Sequence, residues 1–519
     1  MPVTVPGTGS SPTTISSGTG DVLNIAQIIS NALNTLSGAS SLLTTSQTVS
    51  GATTVPAPTN GTTTSILLGG SAAANVSVPS GYNYVVANST QSLTVAGGSG
   101  NYLGNTVGNT FFVTGSPTVA ATGGNNVVVA TGTNYVVSGG TGNDTINVSG
   151  TGTAAGGSGN NLIFSGGSGG FVLSSGQDTV VAQGGASTVN ASGAQSLLFG
   201  SFGTQTGSLA LSVSGTAATV SSGNSNSTLT TAGSNALVFG GFSSSAGTLS
   251  VNNSGSNTTI SSGQSSAVIT LSGSNAIVFG GVTAGSTLQV LDTGTNDTIS
   301  GLSSPTTVTA GAGSTGLDVF GGSGGLTFVG GANLATVVSG SGPNSIVAGT
   351  GGVVVASNGN DTIVGNATGG ATLFGSAGNS QTYSGGGPVL FAAGGGNETL
   401  SAAGSSGSNL LFASTVSSAN DRIISGAGAD TFIAGGGADT FTGGSGAGNT
   451  YYFLSKYTTG QTDFITDLTT NDTVNLIGYD STKSAIATAN GSTTLTLSDN
   501  TKITFVNLSS ITNDHINYG

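Results

Sequence analysis

Apolar residues along this chain come in short bursts separated by Gly, Ser, Asn and Thr. YNYVVA from Tyr82, NNVVVA from Asn125, NLIF from Asn161, SLLF from Ser196 and ALVF from Ala236 are examples. Bursts of this kind predict strands of about four to six residues, joined by tight turns in which Gly and Asn supply positive φ angles. The pattern repeats most clearly where AQSLLFGSF, SNALVFGGF and SNAIVFGGV place Phe199, Phe239 and Phe279 at intervals of 40. Such a period is long for one β-helical coil and suits two coils of about 20 residues each. A single coil cannot bury its own apolar face, whereas stacked coils share a continuous core, so the many imperfect copies predict an all-β, parallel β-solenoid or β-roll rod.

Two ends differ from this texture. DVLNIAQIISNALNTLSGASSLL from Asp21 puts Val22, Ile25, Ile28, Ile29, Ala32, Leu33 and Leu36 at helical spacing, with Gly38 as a stop. A short amphipathic N-terminal helix is expected there, either plugging the open end of the solenoid or docking on a neighbouring subunit. From Tyr451 the segments TDFITDL, DTVNLIGY, STTLTLSD and TKITFVNL alternate as longer strands. They predict a small C-terminal β cap that ends the roll and begins an antiparallel unit. The expected division is an N-terminal arm at 1–50, a Thr- and Pro-containing strand segment at 51–89, the solenoid at 90–419, a Gly- and Asp-bearing β-roll at 420–450 and the cap at 451–519.

Charge sharpens this reading. Charged residues make up 4% of the chain, Lys and Arg together number 4, and the formal net charge is -13. Stacked coils set like residues over like, so charged columns would repel along the axis while Ser, Thr, Asn and Gln stack without that cost. With 35% hydrophobic residues the chain has enough to bury and is not a disordered tract. The same charge poverty leaves little electrostatic protection against association.

Nine of the 17 acidic residues lie at or beyond position 421. NDRIISGAGADTFIAGGGADTFTGG spaces Asp421, Asp430 and Asp439 nine apart, with Gly-x-Gly-x-Asp turns before the last two. A nine-residue turn-plus-strand unit of this kind marks a parallel β-roll that takes up Ca²⁺ in its turns. A full coil is then 18 residues, which puts Asp421 and Asp439 on one edge and Asp430 on the other. Carboxylate oxygen from Asp421, Asp430 and Asp439, with backbone carbonyls of the turns at Gly426, Gly428, Gly435 and Gly437, would give the oxygen-only coordination a hard cation prefers. At the next step Gly448 stands where an Asp is expected, and the turn before Asp421 lacks paired glycines, so one to three ions are expected. Related turns occur at Asp144, Asp297, Asp361 and Glu398, where an Asx turn closed on its own backbone is an equal alternative. Asp463, Asp467 and Asp472 offer a further acidic site, or are surface carboxylates of the cap.

These residues resemble the bacterial repeats-in-toxin (RTX) family, secreted by the one-step type I route. The resemblance rests on GAGADTFIA at 426–434 and GGGADTFTG at 435–443, preceded by NDRIIS at 420–425. It continues in DFITDLTTNDTVNLIGYD at 463–480 and LTLSDNTKITFVNLSSI at 495–511, which are similar to the segment that follows the repeats and carries an uncleaved C-terminal export signal. The family implies Ca²⁺ as cofactor and an extracellular or cell-surface location. Neither an N-terminal signal peptide nor a transmembrane segment is expected from the sequence. No cysteine occurs, which excludes disulfides and thiolate metal sites.

Among function classes, a structural protein of the bacterial exterior fits best, as a homo-oligomer or homopolymer building a filament, matrix or S-layer-like lattice. A monomeric calcium-binding adhesin for a host surface, a cell-surface polysaccharide or ice is the alternative. Polysaccharide chemistry needs paired carboxylates and cations, yet 145–360 holds four acidic residues and no Lys or Arg, so no enzyme is expected. Nucleic acid is excluded as a partner because phosphate binding needs concentrated positive charge.

Overall fold

The structure is a computed structural model that describes residues 2–5, 13–16, 31, 44–58, 65–202, 206–243, 246–283, 285–376, 381–446 and 448–519. The helix expected from Asp21 lies, Asn31 apart, outside the described residues. Two compact units, Met1–Ala267 and Val268–Gly519, are taken in turn.

In the N-terminal unit the coils build two parallel ladders, most giving one strand to each, while Val127–Ser138 and Thr145–Ala155 are long enough to serve both. One runs through Ala74–Ser77, Leu93–Gly97, Thr110–Gly115, Val127–Ser138, Thr145–Ala155, Leu162–Gly166 and Thr179–Gln183, and on to Leu197–Phe199, Thr219–Ser221, Leu237–Phe239 and Thr259–Ser261. Val127 pairs with Thr145, Thr145 with Leu162 and Leu162 with Thr179, so a coil is 17 or 18 residues here. Farther on, Leu197 pairs with Thr219 and Thr219 with Leu237, which splits the 40-residue repeat into coils of 22 and 18. The strands before residue 90, including Gly51–Thr54 and Ser65–Gly70, already pair in parallel with later ones.

Alternation along these strands decides what is buried. Val128, Ile146, Ile163, Val180, Leu198 and Val220 stack as one inward column, each no more than 1% exposed. The repeated Phe199 and Phe239 are the next residues along and face outward, so the most visible sequence marker labels the surface and not the core.

The C-terminal unit winds in the same way. Its inward columns include Val355, Leu373, Phe391, Leu411, Phe432 and Tyr451 on one ladder and Ile363, Tyr383, Ile423 and Phe441 near or on the other. Aromatic rings widen the core where the acidic residues cluster: Phe432 and Tyr451 stack with centroids 4.8 Å apart, and Phe441 meets Phe432 edge-on at 5.6 Å. Strands Thr462–Ile465 and Thr473–Ile477 continue the parallel winding. The antiparallel unit begins with the hairpin Ala485–Ala489 and Ser492–Thr496, whose second strand pairs with Lys502–Phe505.

Candidate metal centre

Gly-x-Gly-x-Asp turns bend the chain sharply enough that the residue just before each strand turns its polar side chain into the roll. A Cβ on Gly435 would overlap the carbonyl oxygen of Ser414, and one on Gly437, at φ +142°, that of Ala419. Gly426 and Gly428 meet the carbonyls of Ser405 and Gly407 in the same way. Glycine is required because the carbonyl oxygens of one coil press onto the turn of the next.

The buried side chains then form two ladders. On one edge the backbone N–H of Glu398 donates to Asp421 Oδ1 at 2.9 Å, that of Asp421 to Asp439 Oδ1 at 3.0 Å, and that of Asp439 to Asp463 Oδ1 at 3.0 Å. On the other, Asn409 donates to Asp430 Oδ1 at 2.8 Å, Asp430 to Asn449 Oδ1 at 3.0 Å, and Asn449 to Asp472 Oδ1 at 2.8 Å. Asp421 and Asp439 thus share an edge opposite Asp430, as the spacing predicts. Asn449, not Gly448, takes the next place because the turn before it is one residue longer. Asp463 and Asp472 are buried rungs, not surface carboxylates, whereas Asp467 accepts the N–H groups of Gly443 and Gly444, each at 2.8 Å.

A matching ladder lies in the N-terminal unit. Asn109 donates to Asn126 Oδ1 at 2.8 Å, Asn126 to Asp144 Oδ1 at 2.7 Å, Asp144 to Asn161 Oδ1 at 2.9 Å and Asn161 to Asp178 Oδ1 at 3.0 Å. Sequence reasoning found Asp144 and missed Asn126, Asn161 and Asp178. The signal was present: NNVVV, NDTIN, NNLIF and QDTVV each set an Asx before an apolar burst at steps of 17 or 18. Amides were read there as turn residues.

Amides and carboxylates behave differently once buried. Asn161 Nδ2 donates to Asp178 Oδ1 at 2.8 Å and Asn126 Nδ2 to Asp144 Oδ1 at 2.9 Å, so in this ladder each carboxylate leans on a neutral donor. The edge Glu398, Asp421, Asp439, Asp463 has no amide between its carboxylates. Burial pushes Glu398 up to about 7, Asp439 to about 6 and Asp463 to about 8, with neighbouring rungs of like charge adding to the rise in each. Burial also raises Asp421 and Asp430, and lifts Asp144 to about 6. The ion pair formed among the described residues, Lys483 to Asp480 at 3.1 Å, is on the surface and involves none of these groups.

Several carboxylate oxygens are left without a well-aligned donor: Asp144 Oδ2, Asp178 Oδ2, Asp430 Oδ2, Asp463 Oδ2 and both oxygens of Glu398. The predicted ligands differ in this respect. Asp421 Oδ2 accepts the Ser414 N–H at 2.7 Å and Asp439 Oδ2 that of Gly435 at 3.2 Å, while Asp430 keeps one oxygen free of such a bond. Among the described residues no three His, Cys, Asp or Glu side chains converge on one point. A cation here would be held by one or two carboxylates with backbone oxygens, a donor set that would suit Ca²⁺ better than a softer metal.

Comparison with known proteins agrees. Residues 120–150 and 416–449 match the family model described as RTX calcium-binding nonapeptide repeat (4 copies). The first stretch contains Asp144 and the second Asp421, Asp430 and Asp439. No curated protein and no solved structure matches the chain. Calcium is the cofactor of these turns. Two stretches of the chain thus carry the RTX calcium-binding repeat, set in a parallel β-winding, and are similar there to RTX-type β-roll proteins.

Proposed function

We propose that this is a secreted structural protein of the bacterial exterior whose roll folds on Ca²⁺ and whose folded faces then associate. The observation that carries the reading is the uninterrupted buried edge of Glu398, Asp421, Asp439 and Asp463, in which Glu398 and Asp463 keep unsatisfied oxygens and no carboxylate has a cationic partner among the described residues. Bound Ca²⁺ would supply the positive charge that lets these carboxylates ionise together. We assign Asp421, Asp430 and Asp439, with the turn carbonyls at Gly426, Gly428, Gly435 and Gly437, as its holders. Weak sites of this kind fill at the millimolar calcium found outside cells. The chain would stay open during export and close afterwards. The resemblance of 463–511 to an export signal supports the type I route, with 90–419 as solenoid body, 420–450 as calcium-dependent roll and 451–519 as cap.

Self-assembly into a surface or matrix filament, or an S-layer-like lattice, is supported by what the faces expose. In the C-terminal unit Phe374, Leu390, Phe412, Ile433, Tyr452 and Leu454 line an open groove of about 690 Å³. In the N-terminal unit Phe202 and Phe242 are 48% and 64% exposed, each beside Phe199 or Phe239 with ring centroids about 6 Å apart. Contiguous apolar surface of this kind favours association. The occupant we favour is a second copy of the chain, because its low charge presents little repulsion to another copy. A flat ice-binding face is not favoured: the outward column Thr179, Leu197, Thr219, Leu237 and Thr259 alternates Thr with Leu.

Electron microscopy of the refolded chain in EGTA and in millimolar Ca²⁺ tests this. Ordered fibres or sheets that appear only with Ca²⁺ are expected. Compact monomers in both conditions would overturn assembly and favour a monomeric adhesin.

A further inference from the structure

The corner between strands Leu288–Asp292 and Thr298–Ser300 departs from the ladder pattern. Asp297 takes the usual place, its Oδ1 accepting the Ala276 N–H at 2.7 Å. The preceding strand, however, ends in a second acid, Asp292. The two side chains are 0% and 1% exposed and lie against each other. Asp292 Oδ1 accepts the Gly294 N–H at 3.0 Å, and Oδ2 accepts the Ser314 hydroxyl. Asp297 Oδ2 receives no N–H or hydroxyl hydrogen bond and has only the Asp292 carboxyl beside it. The space a Cβ on Gly294 would fill lies within 3.4 Å of Asp297 Oδ2, the Gly273 carbonyl oxygen and Asp292 Oδ1. Three oxygens therefore converge on a small cradle with no donor between the two carboxylates.

The N-terminal unit shows how this corner closes without an ion. Between Leu249–Asn253 and Thr259–Ser261 the corresponding residues are Asn253 and Thr258. Thr258 Oγ1 donates to Asn253 Oδ1 at 3.1 Å, the Gly255 N–H donates to the same oxygen at 3.2 Å, and Asn253 Nδ2 returns a bond to the Gly255 carbonyl at 3.2 Å. Donors and acceptors balance in that neutral corner. Replacing both residues by acids removes the donors and adds charge in the same enclosed space, which is unfavourable unless a cation enters.

We infer that Asp292 and Asp297, with the Gly273 carbonyl, hold a Ca²⁺ ion at this corner, a site separate from the nonapeptide turns. Gly273 accepts one hydrogen bond, from Thr295 N–H at 3.1 Å, and keeps a second lone pair for the ion. The irregular, oxygen-only set favours Ca²⁺ over Mg²⁺, which demands near-octahedral geometry. Neither acid belongs to the stretches that match the repeat family.

Hydrogen–deuterium exchange of the full chain in EGTA and in millimolar Ca²⁺ reads the site locally. Peptides covering 286–299 should exchange roughly tenfold more slowly with Ca²⁺, the response of a segment stabilised by a bound ligand. The double variant Asp292→Asn, Asp297→Thr copies the neutral corner at Asn253 and Thr258. It should lose that response and bind one ion fewer by equilibrium dialysis, while peptides covering 426–443 still respond. A wild-type 286–299 segment indifferent to Ca²⁺, or an unchanged ion count in the variant, would show that the two acids merely share a proton. Loss of the response at 426–443 alone would count instead against the calcium reading of the roll.

Discussion

Asn161→Asp probes the ladder most directly because it changes one atom's chemistry and no shape. The side chain is 2% exposed; its Oδ1 accepts the Asp144 N–H at 2.9 Å and its Nδ2 donates to Asp178 Oδ1 at 2.8 Å. The substitution keeps the first bond, removes the second and sets two carboxylates in contact. A hydrogen bond to a charged group contributes about 1.5–3 kcal/mol, and its loss leaves Asp178 without that donor. The cost has a ceiling, since the new carboxyl can bind a proton and donate again to Asp178. Holding a carboxyl neutral costs about 1.4 kcal/mol for each pH unit above its ordinary value near 3.9, or about 4 kcal/mol at pH 7 and about 1.5 kcal/mol at pH 5. The expected destabilisation in EGTA is therefore about 2–4 kcal/mol at pH 7, shrinking to about 1.5 kcal/mol at pH 5. Hydrogen exchange of peptides within 158–183, compared with wild type at each pH, should show protection reduced by roughly 30-fold or more at pH 7 and far less at pH 5. Unchanged protection at pH 7, or an equal loss at both pH values, would refute the argument that the amide separates two buried charges.

Three further outcomes follow from the same geometry. Glu398, Asp439 and Asp463 have folded values of about 7, 6 and 8, above their unfolded ones, so the native state binds the extra protons. The stability they permit is fully present below about pH 4 and is lost as pH rises from there toward 8; in EGTA the chain should melt lower at pH 8 than at pH 5, Ca²⁺ should raise the pH 8 value, and a melting point flat in pH would contradict the buried-acid account. Gly437→Ala forces a Cβ onto the Ala419 carbonyl at φ +142° and should cost about 3 kcal/mol, whereas Gly491→Ala, at φ +77° with open space around it, should cost about 1 kcal/mol; equal urea midpoints for the two would contradict the close-approach argument. Phe432→Ala empties a fully buried position and should lose about 3–5 kcal/mol by thermal melting with Ca²⁺ present, while Phe412→Ala, outward on the adjacent strand, should lose under about 1 kcal/mol.

Much of the fold was legible because its signals are local. Short bursts bounded by Gly and Asn mark strands and corners, and the 40-residue period marks two coils, since each coil must bury the same face as its neighbour. Which residue of each burst points inward was less visible. Phe199 and Phe239 dominate the sequence pattern but sit outside, because the corner fixes the alternation and places Leu198 and Val238 in the core. The acidic site was legible at Asp421, Asp430 and Asp439, where nine-residue spacing is strict. It was lost beyond them, because longer turns shift the register by one at Asn449 and by more at Asp463 and Asp472. Asn126 and Asn161 went unread for another reason: a buried amide and a turn amide look alike until a coil above supplies the N–H it accepts.

The two kinds of ladder differ in how much buried charge each leaves unbalanced. Where amide and carboxylate alternate, as from Asn126 to Asp178, each carboxylate has a neutral donor on Oδ1, although Asp144 Oδ2 and Asp178 Oδ2 have none. Where acids follow one another, as from Glu398 to Asp463, the backbone satisfies one oxygen of Asp421, Asp439 and Asp463 through the ladder but supplies no charge to balance the column. An amide at a rung with a free oxygen, such as Asp463, would relieve the repulsion and lessen any dependence on an ion. Asp463→Asn keeps the Oδ1 acceptor for the Asp439 N–H and changes only the oxygen that has no donor, so it should raise stability in EGTA at pH 8, where the column is most strained, and lower the gain obtained on adding Ca²⁺. If the substitution instead weakened the chain equally in both conditions, the acids would be ordinary turn residues and the calcium requirement would have to reside elsewhere.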